Sequence, residues 1–266
     1  MARLHARLLT SAGLVLAFMA VTPPATAQDY PVRPVRVIVP FPPGGVNDTV
    51  GRMIATQLSE RIGKQFLVDN RSGAAGVTGT ELAANAPKDG YTLLIVSLVN
   101  VVNPWLYKLN HDPIKAFAPI AFITTTPNVV VVNPEFPVHS IKELVTLAKQ
   151  KPGDVQYASA GVGSFMHLGA ELFRLTAGVD LLHVPFKGGG PAMIDVVGGH
   201  TKVAFATSIT ASPLVRSGKL RALGVGGKAR SAVLPDVPTV AEAGVSGYEV
   251  SIGSASWRPP ARLTRL

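Results

Sequence analysis

The segment most informative about the fold is Val35-Arg36-Val37-Ile38-Val39-Pro40-Phe41-Pro42-Pro43-Gly44-Gly45-Val46-Asn47-Asp48. Its β-branched beginning predicts a strand that ends at Pro40. Apolar residues at helical spacing follow from Thr49 to Ile62, and Gly63 is suited to end that helix. Two prolines stiffen the connecting loop, and two glycines allow its backbone to approach a ligand closely.

The same alternation of strand and helix continues along the chain. Apolar runs predict further strands at 65–69, 91–96, 121–123, 129–132, 155–158, 182–184, 203–205 and 221–225. Helical spacing predicts helices at 78–86, 141–151, 166–177 and 191–198, and Ser140 with Glu143 forms a capping-box pattern. This order predicts an α/β protein with open parallel sheets and helices on both faces.

Composition excludes several classes of function. The formal net charge is +9, but five of the 25 basic residues (Arg3, Arg7, Arg258, Arg262 and Arg265) lie near the two ends, which leaves 20 against 16 acidic residues, or +4. There is no basic helix and no Lys/Arg block, so we expect no nucleic-acid partner. The absence of Cys excludes disulfides, thiolate zinc sites and Cys nucleophiles.

Residues 1–27 have the pattern of a secretory signal. Arg3 and Arg7 precede an apolar run from residue 8 to 21, and Ala25-Thr26-Ala27 is a typical cleavage site. The run of about 14 residues is short for the ~20 that a membrane-spanning helix needs. We therefore predict export, with cleavage after Ala27.

Three loops of small residues each follow a predicted strand and open a predicted helix, at 41–48, 70–79 and 159–164. A helix N-terminus offers free N–H donors and a partial charge of about +0.5. Three such loops at equivalent strand ends predict a site for a carboxylate or phosphate. The alternative is that they are ordinary turns, since Gly and Ser are common in loops.

No pattern in the sequence predicts catalysis. Ser164 and His167 can meet at a helix start, but no G-x-S-x-G elbow surrounds Ser164. The six His residues show no metal-ligand spacing, and the Gly/Lys stretches lack the P-loop pattern. We predict no catalytic residue, no metal and no cofactor; an exported enzyme that acts on a small acid is the weaker alternative.

Ordered motifs from about Pro31 to Glu249 carry a family resemblance. They include Pro42-Pro43-Gly44-Gly45-x-x-Asp48, Asn70-x-x-Gly73-Ala74-x-Gly76-x-x-Gly79, Lys88-Asp89-Gly90-Tyr91-Thr92-Leu93, Tyr157-Ala158-Ser159-Ala160-Gly161-x-Gly163-Ser164-x-x-His167, His183-Val184-Pro185-Phe186-Lys187-Gly188 and Leu234-Pro235-Asp236-Val237-Pro238. The chain closely resembles the Bug (TctC-like) family, the periplasmic substrate-binding receptors of tripartite tricarboxylate transporters.

The resemblance implies a two-lobed periplasmic-binding-protein fold of type II, the Venus-flytrap arrangement, with open mixed or parallel sheets. Lobe 1 is then 28–125, lobe 2 is 126–222, and 223–266 returns to lobe 1. The implied ligand is a small carboxylate: a di- or tricarboxylate, an acidic amino acid or an aromatic acid. The implied partners are two membrane permease proteins, one large and one small, and the receptor is expected to be a monomer. A sensory receptor for the same ligands, feeding a two-component system, remains open.

The motif match also implies which residues surround the ligand. In lobe 1 they are Phe41, Pro43, Gly44, Gly45, Asp48, Ala74, Ala75, Gly76 and Thr78. In lobe 2 they are Ser159, Ala160, Gly161, Gly163, Ser164 and His167. Backbone N–H groups, with the Ser164 and Thr78 hydroxyls, are expected to donate to the carboxylate, while Phe41 walls the cleft. Asp48 either faces an amino or hydroxyl group or caps the helix, and His167 is either a ligand contact or structural.

Three stretches depart from the family pattern. Ala206-Thr207 stands where the family carries an Asp after the strand at 203–205, and Ser97-Leu98-Val99-Asn100 is more apolar than expected. Both departures predict a less polar acid as ligand. After Val250 the match fails in an Arg/Pro-rich tail without strand or helix period. We therefore expect an aberrant tail from about 251, a C-terminal truncation that omits the last part of lobe 1, and lower stability.

Overall fold

The first strand, loop and helix appear in the predicted order in the computed structural model, which describes residues 30–260. The export signal predicted at 1–27 and the end of the tail, 261–266, lie outside the described residues. Helix α1 begins at Val46, three residues before the predicted start, and Gly45 is its N-cap. Asp48 is therefore the third residue of the helix, and the prediction that it occupies the cap position was wrong.

Nine strands and seven α-helices make up the described part of the chain. The strands are Val35–Val39 (β1), Phe66–Asn70 (β2), Thr92–Val96 (β3), Ala118–Val132 (β4), Gln156–Ser159 (β5), Leu182–Pro185 (β6), Val203–Thr207 (β7), Arg221–Val225 (β8) and Ser251–Arg258 (β9). The helices are Val46–Ile62 (α1), Val77–Ala84 (α2), Val99–Leu106 (α3), Ile141–Gln150 (α4), Phe165–Ala177 (α5), Gly189–Val197 (α6) and Ser208–Arg216 (α7). A single 3₁₀ turn, Ala74–Gly76, precedes α2.

The strands form one mixed sheet in the order β2-β1-β3-β9-β4-β7-β5-β6, with β8 paired to β4. Pairing is parallel within β2-β1-β3 and within β7-β5-β6, as the βα alternation predicts. The strands β9 and β4 join these two parallel groups by antiparallel pairing. The three small-residue loops thus connect the carboxyl ends of β1, β2 and β5 to the helices that follow these strands.

Strand β4 is one continuous strand where the sequence predicts two short ones. Its first part pairs with β9, and its last part, from Asn128, pairs with β7 and β8. Pro119 and Pro127 interrupt the sequence pattern, and proline lacks the N–H that a central strand normally donates. The register against β9 shifts next to Pro119, between Pro119 and Ala121, while Pro127 stands opposite Ser251 at the end of the pairing with β9.

Strand β9 corrects the prediction for the tail. Residues 251–258 were expected to be aberrant and without regular structure, yet they pair with β3 on one side and β4 on the other. The residues that alternate inward are Ile252, Ser254 and Ser256. Two of these three are small and polar, so the strand has no hydrophobic period that sequence analysis can detect.

Helices α3 and α7 were also missed. Each contains a proline, Pro104 in α3 and Pro213 in α7. Proline normally argues against a helix interior, although short helices near loops accommodate it. Residues 33–260 lie in one compact unit, and the lobe boundaries at 125 and 222 stay a prediction.

Candidate functional site

An inner cavity of about 50 Å³ lies where the loop after β1 faces the loop after β5. It is lined by Phe41, Gly45, Val46, Asn47, Ser97, Val99, Ala160, Ser164, Phe165, Met166, Gly189, Thr207, Thr210 and Ile252. None of these side chains carries a charge. A group bound here therefore meets apolar surface, hydroxyls, one amide and several helix N-termini, among them those of α1 and α5.

An outer cavity of about 400 Å³ lies beside the inner one, and Phe41 and Ala160 line both. The outer cavity is also lined by Ser72, Gly73, Ala74, Ala75, Gly76, Tyr107, Gly161, Val162, Phe186 and Lys187. Among residues 30–260, Lys187 is the one charged residue that lines either cavity. Its side chain is exposed and forms no ion pair within the described part of the chain.

The structure brings about half of the predicted site residues to these cavities. Those that line one or both are Phe41, Gly45, Ala74, Ala75, Gly76, Ala160, Gly161 and Ser164. Those that line neither are Pro43, Gly44, Asp48, Thr78, Ser159, Gly163 and His167. The second group lies directly behind or beside the lining loops and holds their backbone in place.

Asp48 is one of these supporting residues. Its buried carboxylate accepts hydrogen bonds from the Gly44 N–H at 3.0 Å and from Asn70 Nδ2 at 2.9 Å, and it pairs with Arg52 Nε at 3.0 Å. Burial alone raises the pKa of this carboxyl, but these partners outweigh burial and hold the pKa below its ordinary value. Asp48 is therefore ionised, and its carboxylate holds the Gly44–Gly45 turn.

The loop of the outer cavity has an unusual backbone. Four consecutive residues have positive φ: Gly73 at 138°, Ala74 at 44°, Ala75 at 50° and Gly76 at 92°. Alanines rarely adopt this region, and such residues persist only where neighbours hold them. Asn103 Nδ2 supplies one such contact by donating to the Ala75 carbonyl at 3.1 Å.

Thr78 supports the same loop. A Cβ added at Gly73 would lie 2.6 Å from the Thr78 Oγ1 atom, so this side chain occupies the space that only a glycine leaves free. Within the described residues, Ala74 and Ala75 donate their N–H groups to no backbone carbonyl. These donors remain available to a ligand.

The loop after β5 is held by two histidines. Ser159 Oγ, fully buried, lies 2.6 Å from His183 Nε2 and accepts from the Gly161 N–H at 3.1 Å. The Gly163 N–H donates to His167 Nδ1 at 3.2 Å, and the two imidazole centroids are 4.3 Å apart. His167 thus supports the backbone of this loop, and its predicted contact with the ligand stays a prediction.

Burial keeps the imidazole pair neutral, although a carboxylate lies nearby. His183 stacks on Tyr157, whose hydroxyl donates to Glu171 at 2.6 Å, and Arg174 pairs with Glu171. Burial lowers the pKa of His183 to about 4, with a further lowering from His167, while Glu171 acts in the opposite direction. Burial also lowers the pKa of His167.

We expect the free energy of unfolding to fall between pH 6.5 and pH 4 because of this pair. In that window the unfolded chain protonates His183 at its ordinary pKa of 6.5, while the folded protein keeps it neutral down to about 4. Urea unfolding at pH 7 and pH 4.5 measures the loss. A His183→Gln variant should show a smaller loss, whereas His200→Gln, at an exposed position, should behave like wild type. An unchanged loss in His183→Gln would contradict this assignment.

The loop before α1 touches the start of α6 with almost no side chain between them. A Cβ at Gly190 would lie 2.5 Å from the Pro43 carbonyl oxygen, and one at Gly188 would collide with the Pro42 ring. A Cβ at Gly163 would likewise collide with Leu106 of α3. Pro43 and Gly163 therefore serve close backbone contacts across the cavities.

Several cavity residues were not predicted from the sequence. Asn47 lies in the small-residue loop 41–48, and its amide beside Gly44 and Gly45 was the one signal that the sequence offered. Lys187 stands in the His183-to-Gly188 motif, but no role was predicted for it. Thr207 belongs to the Ala206-Thr207 departure from the family pattern, for which an effect on the ligand was predicted, whereas Thr210 and Ile252 reach the inner cavity only through the fold.

Two searches bear on other kinds of site. Within residues 30–260, no group of three or more His, Asp or Glu side chains is placed to hold a metal ion. Among the helices of this same range, none has the length and apolar character that crossing a membrane requires.

Comparison with known proteins gives a consistent family assignment. The family model "tripartite tricarboxylate transporter family receptor" (TctC) matches residues 50–261. Protein BugT of Bordetella pertussis is 37% identical over 248 residues, which cover 92% of this chain and 76% of BugT.

Solved structures agree with the family model. An R. palustris protein whose structure was determined with adipate is 36% identical, has a TM-score of 0.84, and is matched over 87% of this chain and 78% of its own. The periplasmic binding protein BugD is 35% identical with a TM-score of 0.82, over 87% and 78% of the two chains. The fold is therefore the predicted periplasmic-binding-protein fold. The chain belongs to the TctC family of tripartite tricarboxylate transporter receptors, which are periplasmic solute-binding proteins and not enzymes.

Proposed function

We propose that this receptor captures one small carboxylate in the two adjoining cavities and delivers it to the permease pair of a tripartite tricarboxylate transporter. One observation carries the proposal: small-residue loops at the N-termini of α1, α2 and α5 together line the two cavities, and Lys187 is the one charged residue in the described lining. Such a site suits an anion held mainly by neutral donors. The adipate in a relative of 36% identity is an acid of this kind.

The carboxylate oxygens would accept hydrogen bonds from backbone N–H groups and hydroxyls. Ala74 and Ala75 offer N–H donors at the outer cavity, and the N-termini of α1 and α5 add positive potential at the inner one. Hydrogen bonds to a charged acceptor are about twice as strong as neutral ones. Phe41 and Ala160, which lie between the cavities, would contact the carbon chain of the acid.

The site would close by movement of two lobes, with 28–125 and 223 onward as lobe 1 and 126–222 as lobe 2. Gly44 and Gly45 of lobe 1 face Gly190 and Gly189 of lobe 2, respectively, at close range. This contact supports a closed state in which the acid is shielded from water. Removal of residues 1–27 after Ala27 would release the receptor into the periplasm, and the mass of the exported protein tests that cleavage.

Thermal melting of the purified protein with a panel of mono-, di- and tricarboxylic acids tests the proposed function. An acid present at 100 times its Kd adds about 2.7 kcal/mol to the free energy of unfolding, which raises Tm visibly. Sugars and cationic amino acids serve as controls of similar size. A shift by one class of acid supports the proposal, while no shift by any acid contradicts it.

Lys187 should contribute by long-range attraction and at most one ion pair. We expect Lys187→Gln to weaken binding of the preferred acid about two- to tenfold, and more at low ionic strength, because exposed charges are screened by salt. Lys64→Gln is the matched control, since Lys64 follows the far end of α1, about 25 Å from the cavities. Titration calorimetry at two salt concentrations measures both variants, and equal effects of the two changes would rule out a role for Lys187.

A further inference from the structure

Asn47 presents an unsatisfied hydrogen-bond acceptor to the inner cavity. It is the second residue of α1, and only 4% of it is exposed. Its Nδ2 donates to Ser97 Oγ at 3.3 Å, whereas its Oδ1 atom has no hydrogen-bond partner within residues 30–260. A buried acceptor without a donor is unfavourable, and buried polar atoms almost always have a partner from the protein, an ordered water or a bound group.

The rest of the cavity indicates which group completes it. The other polar side chains in the lining are the hydroxyls of Ser97, Ser164, Thr207 and Thr210, and none of the lining side chains is charged. Ser164 Oγ already accepts from the His167 N–H, and Thr207 Oγ1 lies 3.0 Å from Thr210 Oγ1. The cavity therefore offers one amide oxygen that needs a donor.

Three candidate groups differ in how they meet Asn47 Oδ1. A carboxylate places its own lone pairs against that oxygen, and a methylene leaves the oxygen unpaired. An ammonium group supplies a donor but buries a charge with no carboxylate in the cavity to pair with it, which is costly. A hydroxyl donates to Oδ1 and remains neutral. A cavity of about 50 Å³ has room for a group of this size.

We propose that Asn47 is a specificity-determining residue that selects hydroxy-substituted carboxylic acids, whose hydroxyl donates a hydrogen bond to Asn47 Oδ1 in the inner cavity. The inference rests on the proposed function, because it assumes that the carboxylate of the same acid is held by the loops around the outer cavity. The proposal specifies the chemical class of the ligand and the residue that recognises its hydroxyl.

Matched acids that differ in one substituent test the inference by titration calorimetry. The series are succinate, malate and aspartate, then glutarate and adipate with their 2- and 3-hydroxy and 2-amino derivatives. Wild type should bind one hydroxy acid about tenfold more tightly than its unsubstituted and amino partners, the factor expected for one satisfied buried acceptor. Equal binding within every series, or preference for the amino acid, overturns the inference.

Two variants test whether Asn47 is the source of the preference for hydroxy acids. Asn47→Leu, which has a similar volume and no acceptor, should bring the ratio of hydroxy to unsubstituted acid within about twofold of unity. Asn100→Leu is the matched control, because Asn100 is equally buried with unpartnered amide atoms but lines a separate small cavity. An undiminished ratio in Asn47→Leu overturns the assignment even if wild type prefers hydroxy acids. Failure of every acid to bind wild type overturns the proposed function as well, whereas equal binding overturns this inference alone.

Discussion

Gly190→Ala is expected to weaken binding of the carboxylate at least tenfold without lowering the stability of the protein. Gly190 lies in the first turn of α6, where alanine is favoured over glycine by up to about 1 kcal/mol. The added Cβ would nevertheless lie 2.5 Å from the Pro43 carbonyl oxygen, closer than any real contact of that kind. The start of α6 and the loop before α1 must then stay further apart, and the cavities between them lose their closed geometry.

The neighbouring glycine provides a matched control for this prediction. A Cβ at Gly189 would meet Gly45 Cα and Met166 Sδ at 3.7 Å, which is ordinary van der Waals contact. Gly189→Ala should therefore bind within about threefold of wild type, since nothing has to move. Calorimetric titration gives both affinities, and thermal melting verifies that both variants fold. Wild-type affinity in Gly190→Ala would contradict the proposed closure.

Asn128→Leu is expected to lower the free energy of unfolding by about 3 kcal/mol. Asn128 is fully buried in β4 at the point where the strand changes partners from β9 to β7 and β8. Its Nδ2 donates to the Phe205 carbonyl at 2.9 Å, and its Oδ1 accepts from the Tyr248 hydroxyl at 3.0 Å. Leucine fills a similar volume but removes the hydrogen bond to the Phe205 carbonyl and the acceptor of the Tyr248 hydroxyl.

A double-mutant cycle separates the contribution of the Tyr248–Asn128 hydrogen bond from other losses of stability that the substitutions cause. Tyr248→Phe removes only the hydroxyl, which also donates to the Gly169 carbonyl at 3.2 Å, and should cost about 1–2 kcal/mol. Because the two residues share one hydrogen bond, the double variant should lose less than the sum of the single losses. Urea unfolding measures all four proteins. Strict additivity, or a loss below about 0.5 kcal/mol in Asn128→Leu, would argue that the junction is held by backbone pairing alone.

Local sequence signals predicted the parts of the fold that have a clear period. Strands β1 and β3 are runs of buried aliphatic residues, and α4 begins with Ser140 Oγ accepting the Glu143 N–H at 3.2 Å, as the capping box requires. Where a local signal points the other way, prediction failed. The prolines of β4, α3 and α7 and the small polar residues of β9 are tolerated because tertiary pairing compensates for them.

In the candidate site, too, features with a local sequence signal were predicted, and features that depend on tertiary contacts were not. The three loops were identified from their small residues, and their backbone indeed surrounds the two cavities. Which side chains face inward was not predictable, because Asp48, Ser159 and His167 have polar partners that only the folded chain supplies. Asn47 and Thr207 meet across the inner cavity although 160 positions separate them in the sequence.

The decisive experiment for the proposed binding site is a crystal structure of the protein with the acid that gives the largest rise in Tm. We expect one molecule of the acid in the adjoining cavities, between Phe41 and Ala160, with its carboxylate oxygens within hydrogen-bond distance of loop N–H groups. An acid bound elsewhere on the molecule, with both cavities left to solvent, would contradict it.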